Sequence, residues 1–218
     1  MERVLEPEVM DTVEEAMEYD AMDHTGPNAS FMARLLELGA KGRFLDIGTG
    51  PGHIPLLICE EVPGSSVLGV DLSENMLLHA ERHREASAFA DRIEYQLMDA
   101  KDLDLPDGHF NAVYSNTILH HIQDPRPFLS EAYRMLRPGG ALLIRDHFRP
   151  QSEARRDEIV DLYAVDASPN QRELFRASLH AAFTPEELRA IADEAGLKDA
   201  EIVIDSDRHM SLQFESKR

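Results

Sequence analysis

The chain has 218 residues, 43% of them hydrophobic, enough to bury one full sheet-and-helix core as a single domain. Lysine and arginine number 22 against 41 acids, a formal charge of −19, so the surface repels phosphate backbones and nucleic acid is not the expected partner. Cys59 is the only cysteine, which excludes an intrachain disulfide, and with no membrane-length apolar run and no leader pattern the expected setting is reducing and cytoplasmic.

In chain order, residues 1–23 are acidic, and Met10, Val13, Met17 and Tyr19 recur at helical spacing, predicting a lid or docking helix with one apolar side. Residues 24–28 read as a turn, with Asn28 or Ser30 capping a helix over 31–38 that carries Phe31, Leu35 and Leu38 on one face. Residues 43–47 form a short apolar run, a buried parallel strand, which breaks into Gly48, Gly50 and Gly52 before a helical segment begins near Ile54. Alternate glycines let the backbone turn tightly and approach a bound molecule, so this is a cofactor loop. A dinucleotide loop needs a glycine where this chain has His53, and Asp46 is a poor neighbour for pyrophosphate but a good one for a cation. An NAD-dependent dehydrogenase is therefore disfavoured.

A second strand over 67–71 ends in Asp71, an acid placed to accept from two ribose hydroxyls. Ser73 then caps a helix with Met76, Leu77 and Ala80 inside. His79 and His83 stand one turn apart on it, the spacing of two metal ligands. With no nearby cysteine and no glutamate in the H-E-x-x-H position, they read as a polar helix face, and no metal is expected. A third strand leads to Asp99 and Ala100, and a fourth spans 111–116. Asp124-Pro125 opens a helix that buries Phe128, Leu129, Ala132, Met135 and Leu136. The fifth strand, 141–147, ends in Arg145, Asp146 and His147 at the edge where open α/β sheets bind ligands. Residues 149–182 hold two further helical patterns, 154–163 and 171–181. Thr184-Pro185 with Glu187 opens another helix through a capping box, and 201–205 and 209–214 close the chain as two strands.

The succession of Asp46 with its glycines, Asp71, Asp99, the fourth strand and the Arg137-Pro138-Gly139-Gly140 turn resembles the class I S-adenosylmethionine-dependent methyltransferases over about 42–147. Residues 115–121, Ser-Asn-Thr-Ile-Leu-His-His, together with that turn most resemble the branch that includes ubiquinone and menaquinone C-methyltransferases. The resemblance implies a Rossmann-like, doubly wound α/β fold: a mostly parallel seven-stranded sheet with an antiparallel last strand and helices on both faces. It implies a helical lid or docking segment over 1–40 and a methyltransferase domain over 41–218, within which 148–182 is a helical insertion covering the acceptor pocket. It implies S-adenosylmethionine as cofactor. Asp46, Gly48, Thr49, Gly50 and Gly52 would surround its methionine part, with Asn116 below. Asp71 would take the ribose hydroxyls, Leu72 would lie beside the adenine, and Asp99 and Ala100 would read the adenine edge.

Methyl transfer from a sulfonium is an in-line displacement, so the main task is to hold a small-molecule acceptor close to the methyl carbon in a dry pocket. A base is needed only where the acceptor is protonated. His120, His121, Asp146 and His147 are the candidates, because their strand ends face the cofactor and histidine titrates near neutrality. Tyr19 and His24 near the lid, and Arg145 as a fork for a carboxylate or phosphate, are candidate substrate contacts, although Arg145 is equally open to pairing with Asp146. The alternative is a non-catalytic S-adenosylmethionine-binding protein of the same fold. The acceptor atom and the oligomeric state, a homodimer included, are left open.

Overall fold

The computed structural model describes residues 1–6 and 11–215. Met10, one of the predicted apolar lid positions, lies outside them.

Five strands run parallel: β1 (Arg43–Ile47), β2 (Ser66–Asp71), β3 (Ile93–Leu97), β4 (Phe110–Asn116) and β5 (Leu136–His147). β7 (His209–Glu215) runs antiparallel between β5 and β6 (Glu201–Ile204), completing a seven-stranded sheet in the order β3-β2-β1-β4-β5-β7-β6. The chain winds outward from β1 to β3 and then returns to place β4 on the other side of β1. A crevice opens at the carboxyl ends of β1 and β4, where the winding reverses.

Strand periodicity supplies both faces of the sheet. Phe44, Ala112, Tyr114, Ala141 and Leu143 pack against α2 (Thr25–Glu37) and α3 (His53–Glu61), while Leu45, Val113, Leu142 and Ile144 pack against α5 (Arg126–Met135) and α8 (Pro185–Glu194). Each large apolar side chain buried this way stabilises the fold by roughly 1.5–3 kcal/mol. α4 (Glu74–Ala86) lies along β2 and β3, capped by Ser73, whose hydroxyl accepts from Met76 N at 3.1 Å. α6 (Glu153–Tyr163) and α7 (Pro169–Ala181) pair over a small core of their own, formed by Ile159, Val160, Ala164 and Leu179. The expected capping box at Thr184 and Glu187 opens α8.

Two local expectations fail. α1 (Val13–Asp20) exposes Val13 and Met17 and buries Ala16 instead. The helix meets the body edge-on: Asp11 before it accepts from the Ser73 hydroxyl at 2.7 Å, and its contacts fall on α4. Residues 25–28, read as a turn, are the first turn of α2. Neither Asn28 nor Ser30 caps that helix; Thr25 N donates to Asp23 Oδ1 at 2.9 Å, and Asn28 is buried. Pro27 fits there because the first-turn amides have no intrahelical acceptor to lose. In addition, β5 starts earlier than expected, at Leu136. Its pairing with β4 shifts register between Phe110 and Ala112, which absorbs the Pro138-Gly139-Gly140 segment.

The first residues are stitched beneath α7. Arg3 donates to His120 O and Ile122 O, each at 3.0 Å, and its guanidinium lies 3.7 Å from the centroid of the Phe183 ring. This delivers Glu6 to the carboxyl end of β5.

Candidate active site

The loop after β1 follows from its glycines. Gly48 and Gly52 adopt φ of 76° and 81°, the left-handed region that side chains disfavour. A Cβ on Gly48 would lie 2.6 Å from Ile118 Cγ2, and one on Gly52 would run into the Tyr95 hydroxyl. The loop is tied to β2: Gly48 N and Thr49 N donate to Val70 O, and Gly50 N donates to Asp71 Oδ2 at 2.8 Å. Asp71 Oδ1 accepts from Ser73 N at 2.9 Å, and Asp46 Oδ2 accepts from the Thr49 hydroxyl at 2.8 Å.

The loop walls a hollow of about 1110 Å³. Every expected cofactor contact except Gly52 lines it: Asp46, Gly48, Thr49, Gly50, Asp71, Leu72, Asp99, Ala100 and Asn116. Gly52 instead faces Tyr95 and Ala80, where its missing side chain permits close helix packing. Burial pushes the Asp46 carboxyl up to about 7 despite the Thr49 hydrogen bond, and burial also raises Asp71 although backbone amides oppose it. Two desolvated acids lining one hollow favour a cation there.

A second hollow, about 1670 Å³ and open to solvent, adjoins the first; Tyr19, His24, Asn116, Thr117 and His121 line both. Its roof is apolar, with Ala164, Ala167, Leu174 and Phe175 from the α6–α7 pair, and its floor is polar, with His120, Arg145, His147 and His209. Between the two hollows Thr117 holds φ of 67°, a strained conformation for a β-branched residue. Tyr19, whose phenol burial pushes up to about 12, sets its ring at a tilt against His24, 4.7 Å between centroids, and reaches over Gly50.

The four expected acid–base residues separate into different roles. Asp146 is fully buried and lines neither hollow; its carboxylate accepts from His120 N at 2.8 Å and from His120 Nδ1 at 2.6 Å. It is a positioning residue for His120. Burial alone would lower the His120 pKa, but Asp146 on one side and Glu6 Oε1, 3.2 Å from Nε2 on the other, push it up to about 9. Burial would raise Asp146, and His120 brings it down to about 2. His121 Nδ1 lies 3.2 Å from the same Glu6 oxygen. His147 stacks on His209 at 4.9 Å, and burial beside the His120 charge pushes it down to about 4. Arg145 does not pair with Asp146. It donates to Pro27 O at 2.7 Å and Asn116 Oδ1 at 3.3 Å and lies over the Phe31 ring, while still lining the larger hollow.

Glu6 and Thr117 are site residues that sequence reasoning missed. Glu6 carried no motif. A glance at the Asn116-Thr117 break, a polar pair ending an apolar strand, was the one available signal for Thr117.

Comparisons with known proteins bear on this geometry. A family model described as a methyltransferase domain matches residues 45–144, the segment holding both the glycine loop and β4. The demethylmenaquinone methyltransferase of Symbiobacterium thermophilum is 34% identical over 144 residues, 63% of this chain and 57% of that protein. The chain spans between half and two thirds of the length of the curated relatives it matches first. Among solved structures, a candidate S-adenosylmethionine-dependent methyltransferase of Methanococcus maripaludis superposes with a TM-score of 0.76 over 100% of this chain and 98% of that one, at 21% identity, a likeness of fold. Haemonchus contortus phosphoethanolamine N-methyltransferase 2, in complex with S-adenosylmethionine, superposes with a TM-score of 0.65 at 28% identity over 88% of this chain and 43% of that one. Taken with the sheet order and the acid-bearing glycine loop, these likenesses make the chain similar in fold and in its 45–144 segment to the class I S-adenosylmethionine-dependent methyltransferases.

Proposed function

We propose that this chain transfers a methyl group from S-adenosylmethionine to a small, largely apolar acceptor bearing an ionisable hydroxyl or acidic carbon, held beneath α6 and α7. The observation that carries the reading is that the two hollows share Asn116, Thr117 and His121 as lining, which sets their contents side by side. The donor set fits the cofactor. The cradle at Gly48 has no room for a Cβ, and the buried Asp46 carboxyl, raised to about 7, gains from an ammonium partner. Of the residues lining this hollow, Asp71 would take the ribose hydroxyls, Leu72 would lie beside the adenine, Asp99 and the Ala100 backbone would read its edge, and Asn116 and the glycine loop would hold the methionine part. When bound, the cofactor supplies an electrophilic methyl group on a sulfonium.

The chain's own groups do the rest. The apolar side chains of the roof suit an apolar acceptor body, and Tyr19 with His24 lies on the side nearest the glycine loop. His120 Nε2 faces the chamber with Asp146 fixed behind it, the arrangement of a general base held in one tautomer; an acceptor hydroxyl that displaces Glu6 meets that nitrogen. Arg145 and His121 orient the acceptor's polar end. In this reading residues 1–40 form the lid and 148–182 the cover. The quinone acceptor named for the Symbiobacterium relative has the apolar-body, polar-edge character that suits this chamber. A non-catalytic binder would have no need of a second chamber of this size.

The test is incubation with methyl-labelled S-adenosylmethionine and a panel of phenols, hydroquinones and enolic polyketides. Label in an organic product supports the reading. A panel that takes up no label, from a protein that also gives no heat on titration with the cofactor, ends it.

A further inference from the structure

The histidines on α4 have partners that no local pattern reveals. Asp20, at the end of α1, lies between them and His53, the first residue of α3. Asp20 Oδ1 is 3.1 Å from His53 Nε2, and Asp20 Oδ2 is 3.5 Å from His83 Nε2. One ligand atom from each of Asp20, His53 and His83 falls within a common 4.8 Å.

Three features distinguish this cluster from ordinary ion pairing. First, Asp20 Oδ1 and His53 Nε2 are both buried, and despite their closeness neither makes a hydrogen bond, so the ring N–H does not aim at the carboxylate. Second, His83 Nδ1 is 2.8 Å from Pro51 O. A carbonyl only accepts, so Nδ1 carries a proton and Nε2 is the ring atom left facing Asp20 and His53 as a ligand. Third, His79 Nδ1 is 2.8 Å from Asp20 Oδ2 and orients the carboxylate from behind. Outer hydrogen bonds that fix tautomer and carboxylate direction are what metal ligands characteristically have. Zinc bonds of about 2.0–2.1 Å place tetrahedral ligands roughly 3.3 Å apart, near the two Asp20–histidine separations, which use different carboxylate oxygens, while the three ligand atoms as a set lie within 4.8 Å.

We propose that Asp20, His53 and His83 bind a zinc-class divalent cation that clamps α1 across the glycine loop. The placement gives the clamp its effect. Tyr19, which reaches over Gly50, immediately precedes Asp20, and His53 immediately follows Gly52, so one ion joins the lid to the loop beneath it. The assignment departs from the sequence expectation that His79 and His83 are merely a polar face: the further ligands would come from two other helices.

Zinc titration of the full chain, by calorimetry without cofactor, tests the site. The expected result is one tight equivalent in the parent and in Glu6→Gln, and binding at least tenfold weaker in His53→Gln and in His83→Gln. The Glu6→Gln control addresses the other cluster of this type among the described residues, Glu6 with His120 and His121. No tight equivalent, equal binding in both histidine variants, or loss only in Glu6→Gln overturns the proposal. A measurement on the parent alone guards against misfolded variants: zinc should protect His53 and His83 from imidazole-acylating reagents read by mass spectrometry, and equal labelling with and without zinc also overturns it. The clamp rests on the cofactor reading above, the metal site does not. Zinc should slow S-adenosylhomocysteine dissociation at least threefold in the parent and not in His83→Gln; an unchanged rate removes the clamp, whereas failure of the cofactor to bind at all counts against the proposed function.

Discussion

Asp46 ionises only above about pH 7, because burial outweighs the help it receives from Thr49. A buried acid raised above its unfolded value near 3.9 lowers stability progressively as the pH climbs between those two values, since the unfolded chain sheds the proton first. A bound ammonium recovers that loss. S-adenosylmethionine affinity should therefore weaken as the pH falls from 8 to 6, by up to about tenfold per unit once Asp46 is protonated, and Asp46→Asn should bind weakly at every pH; calorimetry at the two pH values checks this. His120 has the opposite sign. Its pKa of about 9 means that the Asp146 and Glu6 contacts stabilise the fold fully below pH 6.5, an effect lost as the pH passes 9. As a base it must first lose that proton, so kcat/KM should rise between pH 7 and 9. His120→Asn should cost roughly 10²–10⁴-fold and flatten the profile. Asp146→Asn should do likewise and also destabilise the fold by about 3–5 kcal/mol, because it leaves a buried imidazolium short of its partner.

At the scale of elements, the chamber is an assembly of parts distant in the chain. The first residues, held by Arg3, set Glu6 against His120, and the α6–α7 pair lays Phe175 and Leu174 over the same space. Glu6→Gln removes one of the two charges holding the His120 proton, so the activity profile should move to lower pH while cofactor affinity stays the same. Phe175→Ala takes a ring from the roof beside His147. It should raise the acceptor KM several-fold and leave S-adenosylmethionine affinity within twofold, because no α7 residue lines the cofactor hollow. Equal losses in both affinities would show that the two hollows do not divide the ligands in this way. Ser168 and Ser152 keep these helices in register: each hydroxyl accepts from a first-turn amide, a cap worth about 1 kcal/mol.

For the whole molecule, a formal charge of −19 is a standing self-repulsion that salt screens. Raising ionic strength from 0.05 to 0.5 M should lift the melting temperature by about 2–4 °C, the size of a change near 1 kcal/mol in a chain this long. Among the described residues no helix is long and apolar enough to cross a membrane. What the amino-acid order determined alone was whatever depends on neighbours in the chain. The strands were legible because their apolar runs are short and bounded, the glycine loop because only glycine tolerates its backbone, and the α8 start because Thr184, Pro185 and Glu187 act within one turn. Asp46 and Asp71 at the ends of β1 and β2 followed from the same local grammar, and the role of Asp99 beyond β3 from the resemblance alone. Tertiary structure decided the rest, through contacts between groups far apart in sequence. The start of α2 and the outward face of α1 were set by packing that outweighed turn propensity and apolar spacing. The partners of His120, of Arg145 and of the α4 histidines lie on separate elements, and their charges and tautomers are fixed by burial and by one another, quantities that exist only once the chain has closed on itself.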